Sequence, residues 1–480
     1  MSKDPKLSLL EKVYDPEIFR KLAHELSDLL ADNLQSNLTR DTPNVINYID
    51  PDTNYIAWKD AKFESPIDFF KAVIKNSIQL QHPRYIGHQV SAPAPLAALA
   101  GFEGMVLNSG GAIYEMSAAS TTLEKVVIDI FKGYFGFDDG DGIITSGGTL
   151  ANLTALICAR NIKASGEVWK EGQKEKYAFM VSEEAHYCID RAVRVMGWGD
   201  EGIIKIPVDA GFKMKTELLE EYHQKASEKG IHVLGVVGSA PTTSTGIYDD
   251  LHSIGLFCKK YNLWYHIDAA HGGPVVFSEK YKHLMFGCNL ADSITVDAHK
   301  MMMTPSLTTM LFFKNSKDSY KTFAQKAQYL WSAADDEWYN YGKRTMECTK
   351  IILSTRIYAL ISTYGIEVFT SYIERCYNMG KKMAELIRQH KDITLAVEPE
   401  SNIVCFRYLS DDIQKSNELN LNIRRAILED GKFYIVQTVL NEIVYLRVSI
   451  MNPFTDEGDL VDLLDLIENL ALLSNDPIIQ

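Results

Sequence analysis

The chain has 480 residues, 46% of them hydrophobic, and a formal net charge of −14 from 49 Lys+Arg against 63 Asp+Glu. This composition excludes a disordered, collagen-like or coiled-coil chain, and the acidic balance with scattered basic residues offers no basic face to nucleic acid. The 7 cysteines are dispersed without zinc-finger or CxxC spacing, so we expect reduced thiols, a cytoplasmic protein and no nucleic-acid partner.

The chain also lacks the pattern of a membrane or secreted protein. Residues 1–20 are charged and have no apolar core, which does not fit a signal peptide. The longest apolar stretch, residues 90–107, contains Pro93, Pro95 and Glu103, which excludes a membrane span. We therefore expect no association with a membrane.

Residues 1–81 are predicted to form an N-terminal helical arm. Apolar residues recur at helical spacing over 16–34, which predicts an amphipathic helix whose apolar face needs a partner surface. Residues 35–66 are polar and rich in turn-forming residues, which is typical of an arm and not of a core. The apolar face consists of Ile18, Phe19, Leu22, Leu26, Leu29 and Leu30.

Residues 82–355 alternate short β-branched runs with segments of helix length. This order predicts a large α/β domain with a mostly parallel central sheet covered by helices. Ligands of such sheets bind at the carboxyl ends of the strands, so candidate residues are expected directly after each run. The predicted strands are Gly142–Thr145, Tyr177–Ser182, Gly202–Pro207, His232–Ser239, Leu263–Asp268 and Ser293–Val296.

Residues 356–480 are predicted to form a small C-terminal α+β domain, because strands close in sequence alternate with turns and helices. The predicted elements are a helix to His390, strands Ile393–Val397 and Ile403–Tyr408, a helix over 411–429, strands Tyr434–Thr438 and Ile443–Ile450, and a last amphipathic helix with Leu460, Leu463, Leu464, Ile467 and Leu470 on one side.

The first candidate site is the small-residue turn Ser146-Gly147-Gly148-Thr149, which links a strand to a helix. Free N–H groups and the positive end of the helix dipole would bind an anion there, and the two hydroxyls add donors. The turn matches neither a Walker A loop nor a GxGxxG fingerprint. A plain strand-to-helix turn without a ligand is the alternative.

The second candidate is the strand end His266-Ile267-Asp268, with His271 three residues beyond. Strand alternation places His266 and Asp268 on one face of the sheet. These two side chains and His271 are possible metal ligands. Alternatively, Asp268 faces a protonated ring nitrogen, or His266 is a hydrogen-bonded core histidine. The residues of this segment leave all three interpretations open.

The third candidate, Lys300, decides between these interpretations. Lys300 follows the predicted strand directly, and burial would lower its pKa toward the neutral amine that an imine requires. For Lys300 alone, a lysine that extends to solvent is the alternative. Together with the anion-binding turn and Asp268, however, Lys300 matches the needs of pyridoxal 5′-phosphate, which are a phosphate cradle, a pyridinium partner and an imine. His186, after another strand, could stack on a planar cofactor or donate a proton, or it could simply begin a helix.

At this point the chain resembles the group II pyridoxal-phosphate-dependent amino-acid decarboxylases, which include aromatic amino acid, glutamate, cysteine sulfinate and diaminobutyrate decarboxylases. The similarity runs from about residue 82 to residue 453. It implies the type I fold of PLP-dependent transferases, pyridoxal 5′-phosphate as cofactor, no metal, and a homodimer with substrate pockets at the subunit interface. The matching motifs are His82-Pro83-Arg84-Tyr85, Thr145-Ser146-Gly147-Gly148-Thr149, Ala185-His186, Asp268-Ala269-Ala270-His271, Asp297-Ala298-His299-Lys300 and Leu446-Arg447-Val448-Ser449-Ile450-Met451-Asn452-Pro453.

The resemblance also implies roles for single residues. Lys300 would carry the cofactor as an imine, Asp268 would pair with the pyridine nitrogen, and Ala270 would pack on one ring face. His186 would stack on the other face and help with the substrate carboxylate or a proton. The remaining implied contacts are Gly148, Thr149 and His299 at the phosphate, Thr243 near the 3′-hydroxyl, Arg447 at the substrate α-carboxylate, and Gln89 and Ser91 in a substrate-facing turn.

The family's catalytic tyrosine lies in a loop that aligns loosely with residues 329–343 of this chain. Of the aromatic residues Trp338, Tyr339 and Tyr341 in this loop, we assign the proton donor to Tyr339. By analogy with the dimeric family, residues 108–116, which include Tyr114 and Glu115, could reach the neighbouring active site.

The implied reaction is the α-decarboxylation of an L-amino acid to an amine and carbon dioxide, and we expect a polar or charged substrate such as diaminobutyrate, glutamate or aspartate. The acidic residues Glu115 and 335–337 would favour a cationic side chain, whereas an acidic one needs a second cation beside Arg447, with Arg84 and Arg344 as candidates. Alternatives are an aromatic substrate, decarboxylation-dependent oxidative deamination to an aldehyde, a non-catalytic cofactor-binding subunit and a metal-dependent hydrolase.

Overall fold

The N-terminal arm is helical, as predicted. The computed structural model describes residues 5–323 and 337–474. Asp15 caps the long second helix by accepting hydrogen bonds from the backbone N–H groups of Glu17 and Ile18, and Pro16 stands at the first position, where no N–H is needed. The arm helices are α1 (Pro5–Val13), α2 (Pro16–Leu38), α3 (Pro51–Asp60) and α4 (Pro66–Asn76).

A seven-stranded sheet forms the centre of the molecule, in the spatial order β1-β7-β6-β5-β4-β2-β3. The pairs from β6 to β3 are parallel, and β7 runs antiparallel to both of its neighbours, so the predicted mostly parallel sheet is confirmed. The strands are β1 (Asp141–Thr145), β2 (Lys176–Ser182), β3 (Ile203–Ile206), β4 (Ile231–Ser239), β5 (Trp264–Asp268), β6 (Ser293–Asp297) and β7 (Thr309–Phe313). The sequence analysis did not predict β7.

Helices cover the sheet because its strands are apolar on both faces, and the two faces belong to separate buried clusters. The helices between α4 and β8 are α5 (Pro95–Leu107), α6 (Ala118–Lys132), α7 (Gly148–Lys163), α8 (Val168–Glu171), α9 (Tyr187–Val195), α10 (Leu219–Glu228), α11 (Leu251–Tyr261), α12 (Ala298–Met301), α13 (Asp318–Phe323), α14 (Ser354–Tyr364) and α15 (Glu367–Ile387). Within the described ranges, no helix has the length and apolar character needed to cross a bilayer.

The C-terminal part contains a four-stranded antiparallel sheet in the order β10-β11-β9-β8, as the predicted α+β pattern requires. Its elements are β8 (Ile393–Leu395), β9 (Ile403–Tyr408), α16 (Ile413–Asp430), β10 (Val436–Leu440), β11 (Ile443–Ser449) and α17 (Glu457–Ser474). The predicted apolar side of α17 is buried in the core of this part, with Leu460, Leu463, Leu464 and Ile467 at 0% exposure.

The predicted domain boundary at 355/356 falls inside α14. This helix packs against α5 and α6, and its residues Ile357 and Leu360 belong to the core of the central sheet. The boundaries 1–81, 82–355 and 356–480 therefore stay predictions. The loops after β4 and β5 contact the C-terminal part, where Arg447 donates to the Thr243 carbonyl and Asn402 contacts His271.

Candidate active site

Lys300 and Asp297 form a buried ion pair at the carboxyl end of β6. The short helix α12 begins after Asp297, so the two side chains lie three residues apart on one helical turn. Lys300 Nζ lies 2.9 Å from Asp297 Oδ2. Burial acts to lower the pKa of Lys300, but the charges of Asp297 and Asp268 outweigh it, and the pKa is raised. The expectation of a neutral amine was therefore wrong, because it considered burial and left out these carboxylates.

Asp268 ends β5 with both carboxylate oxygens engaged. Its Oδ1 accepts a hydrogen bond from the backbone N–H of Ala270 at 3.2 Å, and its Oδ2 accepts one from Asn152 Nδ2 at 2.9 Å. The nearby His266 uses both ring nitrogens on protein groups, Nε2 on Asn152 Oδ1 and Nδ1 on Ser293 Oγ. The structure therefore supports the core-histidine interpretation of His266 and not the metal-ligand interpretation.

His186 lies in the connection between β2 and α9, directly before the first residue of α9. Burial lowers its pKa, which outweighs the opposite influence of the Asp268 charge. Ligand atoms of His186, Cys188 and Asp268 all lie within 4.8 Å of one another. Burial raises the pKa of Cys188 to about 12, which keeps it a neutral thiol and a poor metal ligand.

His271 is held in one tautomer. Asn402 donates through Nδ2 to the Ile450 carbonyl, so its Oδ1 is free to accept from His271 Nε2 at 2.8 Å. His271 Nδ1 is buried without a hydrogen-bond partner among the described residues, and burial lowers the pKa of His271 to about 3. The side chain therefore presents a bare nitrogen lone pair next to the cavity around Lys300.

The turn between β1 and α7 has the geometry of an anion site. Gly147 has φ +116°, a conformation that favours glycine, and no side chain caps the first turn of α7. A Cβ atom at Gly148 would lie 2.9 Å from both carboxylate oxygens of Asp297, so only glycine fits. The open N–H groups of this helix start are well suited to a phosphate.

A buried ion pair, Lys350 with Glu124, lies next to this turn. Lys350 Nζ contacts Glu124 Oε1 at 2.5 Å and donates to the Ile144 carbonyl, and the same Glu124 oxygen accepts from the Ile144 N–H. On the turn itself, Ser146 Oγ donates to Glu347 Oε1 at 2.6 Å. Glu347 and Lys350 thus hold the turn between β1 and α7 in place, and we call this turn the phosphate turn.

One cavity brings these groups together, and we call it the inner cavity. It places an amine, a carboxylate and an open helix start around one space, which fits the aldehyde, ring nitrogen and phosphate of pyridoxal phosphate. Among its lining residues are the predicted Gly148, Thr149, His186, Thr243, Asp268, Ala270, His299 and Lys300.

An adjoining space, which we call the outer cavity, shares His186 and Thr243 with the inner one and also contains Arg447 and His88. Arg447 is 5% exposed and donates through Nη2 to the Thr243 carbonyl at 2.6 Å. Its Nε has no hydrogen-bond partner among the described residues. A buried guanidinium next to the cofactor space is thus available to an anion.

Three predicted residues lie outside both cavities. Ser91 donates to the His299 carbonyl at 2.9 Å, and Gln89 is half-buried with Nε2 unpartnered in the described structure. Tyr339 packs edge-on against Tyr114 with ring centroids 5.6 Å apart. The roles assigned to Gln89, Ser91 and Tyr339 stay predictions. Residues 329–336 of the loop, with the two aspartates at 335 and 336, lie outside the described residues.

The two candidates for a second cation are engaged elsewhere. Arg344, at 0% exposure, contacts Asp141 at 2.7 Å, and Arg84 contacts Asp459 at 3.1 Å. The structure therefore supports neither candidate, and these ion pairs could not be predicted because they join residues far apart in sequence.

Asn152 and the role of Asp297 were not predicted from the sequence. Both carried a signal, since Asn152 lies one helical turn after Gly148 on the same face of α7, and Asp297 precedes Lys300 by three residues.

Comparison with known proteins agrees with this geometry. Residues 59–409 match the family model described as the pyridoxal-dependent decarboxylase conserved domain. The L-aspartate decarboxylase dtxS4 of Metarhizium robertsii is 28% identical over 74% of this chain and 72% of its own length, and the aromatic-L-amino-acid decarboxylase of Bacillus atrophaeus is 25% identical over 95% and 96%. The crystal structure of mouse CSAD superposes with a TM-score of 0.89 at 22% identity, covering 95% of this chain and 99% of the other.

The fold predicted from sequence, the type I fold of PLP-dependent transferases, is thereby confirmed. The match covers most of the chain and includes the strand ends that carry His186, Asp268 and Lys300. The chain belongs to the pyridoxal-dependent decarboxylase family and is an amino-acid decarboxylase that uses pyridoxal 5′-phosphate.

Proposed function

We propose that the enzyme removes the α-carboxyl group of an L-amino acid with an acidic side chain, of the aspartate and glutamate class. The observation that carries this proposal is a pair of guanidinium groups, Arg447 in the outer cavity and Arg424 beside it. Within the residues that the structure describes, no carboxylate pairs with Arg447, and burial lowers the pKa of its guanidinium. A buried charge of this kind is stabilised by an anionic ligand, for which the substrate α-carboxylate is suited.

A second cation lies beside the outer cavity. Partial burial, together with the charges of Arg447 and Arg424, lowers the pKa of His88, which places both guanidinium groups in its vicinity. Arg424 lies on α16, and its Nε is buried without a partner in the described chain. Gln437 lines both the outer cavity and the groove that contains Arg424. We therefore assign the side-chain carboxylate of the substrate to Arg424.

The two acidic residues of the outer cavity each accept a hydrogen bond from the protein. Glu184 accepts a hydrogen bond from Ser244 Oγ, and Glu183 Oε1 accepts one from the Val208 N–H at 2.9 Å. Of the acidic residues that would favour a cationic substrate, Glu337 contacts Lys343 at 2.6 Å and Glu115 is exposed. The name of the relative dtxS4, an L-aspartate decarboxylase, agrees with an acidic substrate, and that of the Bacillus relative leaves the aromatic alternative to experiment.

We propose the following roles for the residues that line the inner cavity. Bound pyridoxal phosphate supplies an electron sink for the bond that breaks when carbon dioxide leaves. Lys300 would hold the cofactor aldehyde, and Asp268 would keep a proton on the ring nitrogen. His186 would stack on the ring and help exclude water, with Ala270 on the opposite face. The chain's phosphate contacts would be Gly148, Thr149 and His299, and Thr243 would lie near the 3′-hydroxyl.

We also propose a homodimer. Helix α5 exposes Leu99, Phe102, Met105 and Leu107 at 46% to 63%, a contiguous apolar face that a second copy would cover. Because Tyr339 packs on Tyr114, both would reach the neighbouring active site together if residues 108–116 do so. In that arrangement Tyr339 would return a proton to the substrate Cα from the partner. Sedimentation of the purified enzyme tests this state, and a monomer at micromolar concentration would contradict it.

The substrate is tested with purified holoenzyme and a panel of L-aspartate, L-glutamate, L-2,4-diaminobutyrate, L-tyrosine and L-tryptophan. Chromatography measures the amine product, and an oxygen electrode tests for oxidative deamination. We expect kcat/KM for an acidic substrate to exceed that of the others at least about tenfold, because a charged hydrogen bond contributes about 1.5–3 kcal/mol. A preference for diaminobutyrate or an aromatic substrate would contradict the proposal.

Arg424 has a matched control on the same helix. Arg425 is an exposed neighbour whose Nε contacts Glu429 at 3.0 Å. Arg424→Gln is expected to lower kcat/KM for the acidic substrate about tenfold through loss of a charged contact, whereas Arg425→Gln leaves it unchanged. Equal effects of the two substitutions would remove Arg424 from the substrate site.

A further inference from the structure

One face of β5 carries polar side chains toward the inner cavity. Alternation along the strand places Trp264, His266 and Asp268 on the same face. Ser293 of β6 is the residue paired with His266 in the sheet register, and Asn152 of α7 covers this face. These side chains are all buried, with at most 8% exposed. The polar groups run along an apolar sheet and end at the cofactor site.

The side chains form an unbroken series of hydrogen bonds, which we call the β5 relay. Its members are Trp264, Ser293, His266 and Asn152, and it ends on Asp268. Trp264 Nε1 donates to Ser293 Oγ at 2.9 Å, and Ser293 Oγ contacts His266 Nδ1 at 2.8 Å. His266 Nε2 contacts Asn152 Oδ1 at 2.9 Å, and Asn152 Nδ2 donates to Asp268 Oδ2 at 2.9 Å.

The Asp268 end of the β5 relay sets the direction of donation. A carboxylate can only accept, so Asn152 Nδ2 donates to Asp268, and Asn152 Oδ1 accepts from His266 Nε2. A neutral His266 then has no hydrogen on Nδ1, which accepts from Ser293 Oγ, and Ser293 Oγ accepts from Trp264 Nε1. Burial lowers the pKa of His266 to about 4, in agreement with a neutral ring. Every donor therefore points toward Asp268.

The amide of Asn152 depends on this direction. If its two terminal atoms exchanged places, an oxygen would face the carboxylate of Asp268, and a nitrogen would face the His266 N–H. The Asp268 carboxylate and the His266 donor both oppose this exchange, and hydrogen bonds that point the same way strengthen one another in a low dielectric. Asn152 thereby presents an N–H to Asp268 in a fixed orientation.

We propose that the β5 relay positions Asp268 as an oriented anion toward the pyridine nitrogen of the cofactor, with Asn152 as the positioning residue that contacts it. The proposal rests on the assignment of Asp268 to the pyridine nitrogen made above. It predicts that Asn152 contributes to binding of the ring nitrogen and not to binding of the phosphate or the aldehyde.

The test compares two ligands of the cofactor-free protein, pyridoxal 5′-phosphate and its analogue with the ring nitrogen replaced by C–H. Both carry the phosphate and the aldehyde, so the ratio of their dissociation constants isolates the ring nitrogen. Wild type should prefer pyridoxal phosphate, and Asn152→Leu should reduce that preference about tenfold, since it removes a hydrogen bond to a charged group. Its affinity for the analogue should change less than twofold.

The matched control is Thr154→Val on the same helix. Thr154 is fully buried and donates to the Leu150 carbonyl of its own helix at 2.7 Å, away from Asp268. It should leave the ratio unchanged. If Asn152→Leu weakens both ligands equally, Asn152 supports the fold only and the proposal is overturned.

A second variant keeps the test decisive if Asn152→Leu does not fold. His266→Phe removes the donor that orients the amide, and it should lower the preference by a smaller factor, with partial recovery in His266→Gln, which keeps an N–H. A preference unaffected by His266→Phe would also overturn the proposal. A wild-type protein that binds the two ligands equally would instead refute the assignment of Asp268 itself.

Discussion

The inner and outer ends of the active site differ in how their polar atoms are satisfied. Around Asp268, every polar atom of the β5 relay has a partner within the protein. Around the outer cavity, Arg447 Nε and Arg424 Nε are buried without partners among the described residues. Buried polar groups are normally hydrogen-bonded, so an exception calls for an explanation.

We attribute the difference to what each end is proposed to bind. A resident cofactor is met best by groups already fixed in place, whereas a substrate that enters and leaves must supply hydrogen bonds to groups that lack them. Substitutions of satisfied groups should therefore reduce stability or cofactor binding. Substitutions of unsatisfied groups should reduce activity and leave stability unchanged or increased.

The largest effect is expected at the satisfied pair beneath the phosphate turn. Lys350→Met leaves the buried Glu124 carboxylate without its partner, which should lower the free energy of unfolding by about 3–5 kcal/mol. Denaturant unfolding of the cofactor-free protein measures this loss. An unchanged midpoint would show that the pair is not part of the scaffold.

A substitution at the unsatisfied end should act in the opposite way. Arg447→Met should lower kcat/KM about a hundredfold, which corresponds to about 3 kcal/mol for loss of a buried charge that binds the substrate carboxylate. Its free energy of unfolding should stay equal to that of wild type or rise, because a desolvated charge that no carboxylate pairs within the described residues is removed. A variant as active as wild type but less stable would reverse the comparison.

A smaller effect is expected from pH at the inner end. His266 has a folded pKa of about 4 against about 6.5 unfolded, so the unfolded chain takes up a proton below pH 6.5 and the folded chain does not until about pH 4. The contribution of His266 to stability is thus lost as the pH falls through this window. Between pH 7 and pH 5, wild type should lose about 2 kcal/mol more than His266→Gln. Parallel pH curves of the two proteins would contradict a neutral His266.

The arrangement along the chain was largely predictable. The six predicted strands of the large domain all form, and the strand-end residues His186, Asp268 and Lys300 line one cavity, because parallel strands carry their carboxyl ends to one sheet edge. The strand Thr309–Phe313 was missed because it returns antiparallel between β1 and β6, with only the four-residue helix α12 before it.

What the sequence did not reveal depends on contacts between distant segments. The pKa of Lys300 is raised by the charges of Asp297 and Asp268, of which the second comes from another strand. Arg344 is occupied by Asp141, about two hundred positions away, and Arg424, which we propose as a substrate contact, lies on a helix of the C-terminal part. Periodicity describes which face a residue takes, but it does not identify the partner that the face meets.

The central claim, that Lys300 carries the cofactor, is tested most directly by reducing the holoenzyme with borohydride and mapping the label by mass spectrometry of its peptides. The account predicts a phosphopyridoxyl group on Lys300 and a loss of both the label and the visible absorbance of bound cofactor in Lys300→Ala. A label on another lysine, or an unchanged label in Lys300→Ala, would contradict it.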